Sequence, residues 1–393
     1  MDQTMSLSVN PDVIRAIDPP IAEAQSWITG RDFPPENPLL DMAQAVPSYP
    51  PAEILRDHLA SRLAKFETAQ YSPIAGIATL RSALAEHMNQ AYGGVIRPQN
   101  VLISAGCNQA YCLAILALAR AGDEVILPVP YYFNHMMWLQ MQGISAVALP
   151  FRSDRRGVPD PEEAAKLITE RTRAIVLVTP NNPTGAVYPP ETIAAFRDLA
   201  AAHGIALIID ETYKDFLDDG APHTLFRDER WGNTVVQLYS FSKAFSLTGY
   251  RVGSVIAGEQ VIGAVTKIMD TVSICAARIS QDAALFALEN LSEWVTNKRG
   301  IINARRDSVR EIFRANDLGY KLISSGAYFA YLQHPFGGTP ARDVARRLVD
   351  EHNILCLPGS FFGSNQEQCL RLAYANATVE EMPILAGRLR HSL

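Results

Sequence analysis

From Val101 onward the chain alternates short apolar runs with stretches of helical spacing, and this rhythm restricts the fold more than any other feature. The runs Val101–Ser104, Glu124–Leu127, Ala146–Leu149, Ala174–Thr179, Ile205–Ile209, Val235–Tyr239 and Val252–Ala257 are rich in β-branched residues and read as strands. Between them, Asn108–Arg120 and Pro190–His203 space their apolar residues as amphipathic helices do. Strands joined by helical crossovers form a largely parallel sheet buried on both faces. Sheets of this kind bind ligands beyond the carboxyl ends of their strands. Several runs end there in polar or glycine-containing loops: Ala105–Asn108, Thr179–Gly185, Asp210–Tyr213 and Ser240–Lys243.

At 393 residues the chain exceeds what one hydrophobic core usually supports, so a large domain with a smaller companion is expected. The stretch through Pro51 is proline-rich and lacks the strand–helix rhythm, and the region beyond about residue 290 reads as helix, strand, helix. Both ends are therefore expected to build one small α/β domain. The division is an N-terminal arm with part of the small domain over residues 1–47, a large domain over 48–290, and the rest of the small domain over 291–393.

A net charge of −6 argues against nucleic acid, whose phosphates need clustered Lys and Arg. The opening Met1–Asn10 has no basic segment followed by an apolar one, so no secretory signal is expected, and no apolar stretch reaches membrane-span length. Five cysteines, an odd count without CxxC spacing, fit neither a zinc site nor a disulfide framework, which points to no metal and a reduced, cytoplasmic setting.

Three loops carry the chemistry. Thr179-Pro180-Asn181-Asn182-Pro183-Thr184-Gly185 offers an amide on a turn, Asp210-Glu211-Thr212-Tyr213 an acid and a phenol, and Ser240-Phe241-Ser242-Lys243 a lysine flanked by hydroxyls, with Arg251 eight residues on. Each alone has an ordinary explanation, as a turn, a helix cap or a surface lysine. Together, in this order, they resemble the class I/II aminotransferases, the fold-type I pyridoxal-phosphate-dependent family, and the resemblance runs from about Tyr71 to Arg371.

The resemblance implies a mainly parallel seven-stranded sheet flanked by helices, pyridoxal 5′-phosphate as cofactor, and a homodimer with shared active sites. It implies Lys243 as the Schiff-base lysine that also moves the α-proton. Asp210 matches the carboxylate paired with the cofactor's ring nitrogen, and Asn182 and Tyr213 match the donors to its ring hydroxyl. Gly106, Cys107 and Asn108 resemble the phosphate loop at a helix start, with Ser240, Ser242 and Arg251 as side-chain phosphate ligands. Tyr132 aligns with the aromatic residue stacked on the ring, and Tyr71 with the tyrosine that reaches the neighbouring subunit's phosphate. Arg371 matches the fork that clamps the substrate α-carboxylate.

Two departures bear on substrate choice. Ala43 stands where the family usually has a glycine near the substrate, which narrows access. The resemblance implies that dicarboxylate-specific members receive a second arginine from the partner subunit for the distal carboxylate; the corresponding stretch here, near Met269–Val272, has none, although Arg278 follows shortly. The expected reaction is ping-pong transfer from an L-amino acid, neutral or aromatic favoured, to a 2-oxo acid. Carbon–sulfur β-lyases share almost the same cofactor contacts and stay open as the alternative, and a non-catalytic sensor half is the more distant one.

Overall fold

The computed structural model describes residues 7–218 and 220–393. Its strands are β1 (Leu40–Asp41), β2 (Val101–Ser104), β3 (Glu124–Pro128), β4 (Ser145–Leu149), β5 (Thr172–Val178), β6 (Ala206–Asp210), β7 (Val235–Ser240) and β8 (Gly253–Ile256), followed by β9 (Lys321–Gly326), β10 (Phe329–Gln333), β11 (Ile354–Leu355), β12 (Leu357–Pro358) and β13 (Cys369–Ala373). Seven of them form one sheet in the order β2-β8-β7-β6-β5-β3-β4. The expected runs fall on these strands within two residues, and the two expected helices appear as Cys107–Leu118 and Pro190–Ala202. This is the fold-type I α/β architecture, a mainly parallel seven-stranded sheet flanked by helices.

One strand breaks the parallel pattern. β8 runs antiparallel to both β7 and β2, with Gly253 opposite Ser240 on one side and Ser104 on the other. The link from β7 to β8 contains only the short helix Phe241–Ala244 and a turn, too little for the crossover that parallel neighbours require. The reversal has a positional effect. It brings the start of β8, where Arg251 sits, to the edge at which β2, β5, β6 and β7 end.

Strands β12, β13, β10 and β9 make a second, antiparallel sheet, and β1 pairs parallel with β11. Apolar burial follows the two sheets. One cluster draws on residues from Ala52 to Leu291. The other joins Ala24, Trp27 and Leu40 to residues from Ile302 to Leu389, and also takes Phe133, Met137, Tyr213 and Phe216 from loops and helices of the large sheet. Among the described residues no helix is long and apolar enough to cross a membrane.

The loop that follows β5 of the large sheet meets β9 of the second sheet backbone to backbone at a pair of glycines. Gly185 has φ +70°, and a Cβ there would strike the Gly326 amide and the Phe329 carbonyl; a Cβ on Gly326 would strike the Gly185 carbonyl. Ser324 Oγ donates to Thr184 O at 2.7 Å across the same seam. Gly185→Ala should therefore lower stability by about 2–4 kcal/mol, combining left-handed strain with overpacking against backbone that has nowhere to go. Denaturant unfolding of the two proteins measures this directly.

Candidate active site

Beyond the carboxyl edge of the large sheet lies a cavity of about 330 Å³, lined by Lys243, Asp210, Tyr213, Asn182, Cys107, Asn108, Tyr132, Ser240, Ser242, Arg251 and Arg371 among others. Eleven of the fourteen candidate residues thus meet around one space. Gly106 and Ala43 stand directly behind its wall, and Tyr71 is elsewhere on the surface, 78% exposed. Ile21, Gln44, Val46, Phe133, Asn134, Thr212 and Thr248 also line the cavity and were not anticipated.

The phosphate-loop candidate is the N-terminus of helix Cys107–Leu118, where the first N–H groups have no intrahelical acceptor. Gly106 caps it at φ +83°, and a Cβ there would collide with the Arg251 guanidinium. A Cβ on Gly253 would come within 2.7 Å of the Gly106 carbonyl carbon and 2.8 Å of the Cys107 nitrogen. The two glycines let a helix start, a strand start and an arginine converge. Ser240 Oγ accepts from Ser242 N at 3.2 Å, capping the short helix that presents Lys243.

Asp210 is buried at the end of β6. Burial pushes its carboxyl upward, but His135, with Nε2 3.4 Å from Asp210 Oδ2, and Thr212, whose N–H donates at 3.0 Å, outweigh that and hold the pKa below the ordinary value. The His135 ring is stacked on Tyr111 with centroids 3.9 Å apart, so its plane is set by packing. His135 was missed because a lone histidine within the apolar helix Phe133–Met141 carries no motif; its spacing of three from Tyr132, which puts the two on one side of a helix start, was the available signal.

Arg371, 2% exposed on β13, lies between the rings of Phe329 and Phe362, with its guanidinium carbon 5.1 Å from each centroid. Nη1 donates to Asn182 Oδ1 at 3.1 Å, Nη2 donates to Ala43 O, and Nε has no partner. Asn182 consequently spends its oxygen on Arg371 and keeps its NH2 free to donate. Burial brings the Arg371 pKa down to about 10, still charged at neutral pH. Tyr132 OH donates to Asn108 Oδ1 at 3.3 Å, and burial pushes its pKa up to about 12. Arg278 lies outside the cavity, 3.5 Å from Asp282.

The Lys243 amine donates to Ala45 O at 2.5 Å. Burial, reinforced by the positive charges of Arg251 and Arg371, brings its pKa down to about 8. An amine so placed is a nucleophile near neutrality, where an ordinary lysine is almost wholly protonated.

A profile of the family described as Aminotransferase class I and II matches residues 37–389. The chain is 30% identical over 366 residues to an aromatic aminotransferase of Arabidopsis thaliana, covering 91% of this chain and 90% of that protein. It is 33% identical over 310 residues to an aspartate aminotransferase of Pyrococcus horikoshii, covering 78% and 79%. The solved aspartate aminotransferase of Thermus thermophilus with maleate superimposes with a TM-score of 0.89 at 28% identity, over 99% of this chain and 100% of that one.

Only the neutral amine reacts with an acylating reagent. In the ligand-free protein, labelling of Lys243 should rise with pH through about 8 and then level off, instead of rising near the ordinary 10.5. Competitive acetylation followed by peptide mass analysis gives the midpoint; a midpoint near 10.5 would contradict the electrostatic account.

Proposed function

Because the chain belongs to the class I and II aminotransferase family and is a transaminase of fold-type I, we propose that it holds pyridoxal 5′-phosphate in the cavity around Lys243. There it moves an amino group from an L-amino acid, neutral or aromatic favoured, to a 2-oxo acid. The observation that carries this reading is the convergence of three cations, a buried carboxylate and a helix N-terminus on one cavity of about 330 Å³.

The donor set fits the cofactor. Arg251, Ser240, Ser242 and the helix start at Gly106, Cys107 and Asn108 suit a phosphate dianion, and Gly106 leaves the space that Arg251 fills. Asp210, kept ionised, suits a protonated ring nitrogen, while the free Asn182 NH2 and Tyr213 suit the ring hydroxyl. Tyr132 supplies the flat face. The cofactor, when bound, supplies a sink for the electrons left at the α-carbon when its proton departs. Lys243 Nζ is the point of covalent attachment and, once released, the base that takes and returns that proton. Arg371 fixes the substrate carboxylate through its unpaired Nε edge, and so sets which bond at the α-carbon is broken.

Among the described residues this chain's own lining offers no cation beyond Lys243, Arg251 and Arg371, and the stretch Met269–Val272, which in a shared site would serve the partner's substrate, holds no arginine; both support a neutral or aromatic side chain over a second carboxylate. The exposure of Tyr71, outside its own chain's cavity, supports a homodimer in which it reaches the partner's phosphate. The two apolar clusters support the division at residues 48 and 291. The odd cysteine count supports a cytoplasmic setting.

The purified protein should show a visible absorbance band that Lys243→Ala abolishes, and phenylalanine added without any keto acid should convert it to the near-ultraviolet band of the aminated cofactor. Ammonia and keto acid accumulating without that conversion would move the chain to the β-lyases. Arg371→Lys should raise KM about 10- to 100-fold through loss of the planar fork, measured by steady-state kinetics. Sedimentation should give twice the 43.2 kDa chain mass.

A further inference from the structure

The residues just behind the cavity wall point to one more participant. Gln44, Ala45 and Val46 line the cavity, and the segment containing them is the resting partner of two charged groups, through Ala45 O on Lys243 and Ala43 O on Arg371. Its two ends are anchored independently. At the first, Met42 N donates to Leu355 O at 2.8 Å and Ala373 N to Met42 O at 2.8 Å. At the second, Arg305 donates to Ser48 Oγ at 2.8 Å and Ser246 Oγ to Tyr49 O at 2.6 Å. Besides the donations from Lys243 and Arg371, two side chains hold the segment between these anchors: the Asp41 carboxylate accepts from Ala43 N at 3.0 Å, and Asn376 bridges the two residues that flank Ala45. Asn376, in the turn that follows β13, accepts from Val46 N at 3.3 Å and donates to Gln44 O, with Asp41 O 3.4 Å away. A single carboxamide, by using both its ends, fixes the height of the wall over Lys243.

We propose that Asn376 is a positioning residue that sets substrate affinity by holding Gln44–Val46 as the wall of the substrate cavity. It touches neither Lys243 nor Arg371, and acts only through the segment. The inference rests on the transaminase reading of the cavity. Because both substrates of a ping-pong reaction use the same space, the effect falls on both alike.

The test compares Asn376→Ala and Asn376→Asp with the unaltered holoenzyme. Asn376→Ala should raise KM for phenylalanine and for 2-oxoglutarate about 5- to 20-fold each, with kcat changed less than about twofold and the visible band unchanged. Asn376→Asp keeps the acceptor for Val46 N but loses the donor to Gln44 O, so it should not restore KM. Hydrogen exchange on the ligand-free proteins supplies a readout independent of turnover. The peptide spanning residues 43–47 should exchange faster in Asn376→Ala, and β13 should not. Unchanged KM and exchange, or a joint fall of kcat and thermal midpoint, would overturn the proposal. Absence of transamination in the unaltered enzyme would instead overturn the reading of the cavity, and the exchange result would still decide whether Asn376 clamps the segment.

Discussion

Gly253 is hydrogen-bonded in register between Ser104 and Ser240, and the site depends on that seam. Were β8 parallel to its neighbours, its start would lie at the opposite edge of the sheet and Arg251 would be a strand's length away from Lys243. Reversal instead gathers the ends of β2, β6 and β7 with the start of β8. The missing side chain at Gly253 then lets the helix start at Cys107 pack against the strand, and the missing side chain at Gly106 admits the arginine. Backbone geometry brings the positive charge to where a dianion can be held.

That concentration of charge has a cost which the rest of the site absorbs. Lys243, Arg251 and Arg371 share one cavity with a single buried carboxylate; burial first, and the two guanidinium charges after it, lower the lysine's affinity for its proton, while Arg371 is held by Asn182, the Ala43 carbonyl and two aromatic faces. The same repulsion that makes the cavity unfavourable when empty suits it to a phosphate and a carboxylate. Asp210 keeps its charge in spite of burial because His135 and the Thr212 amide donate to it. The site is thus organised by electrostatics that only a packed, desolvated interior makes strong.

Legibility in the sequence followed how local each signal was. Strands such as Val235–Ser240 and helices such as Pro190–Ala202 were readable because burial on both faces, or on one, imposes an apolar pattern within a few residues. Lys243, Asp210 and Asn182 were readable because each lies at or within a few residues of the carboxyl end of such a strand. His135 and Asn376 were not. Their partners, Asp210 and Gln44–Val46, are respectively 75 and about 330 residues away in the chain, and neither residue belongs to a motif.

By itself, then, the sequence determined the α/β class, the edge of the sheet at which chemistry would occur, and the residue types gathered there, because hydrophobic periodicity and turn chemistry are local. Only the tertiary structure decided the direction of β8, the glycine contact of β9 with the loop after β5, and the partners that Lys243, Asp210 and Arg371 find. Those depend on distances between segments that lie far apart in the chain, and on the desolvation that arises only when the segments are packed together.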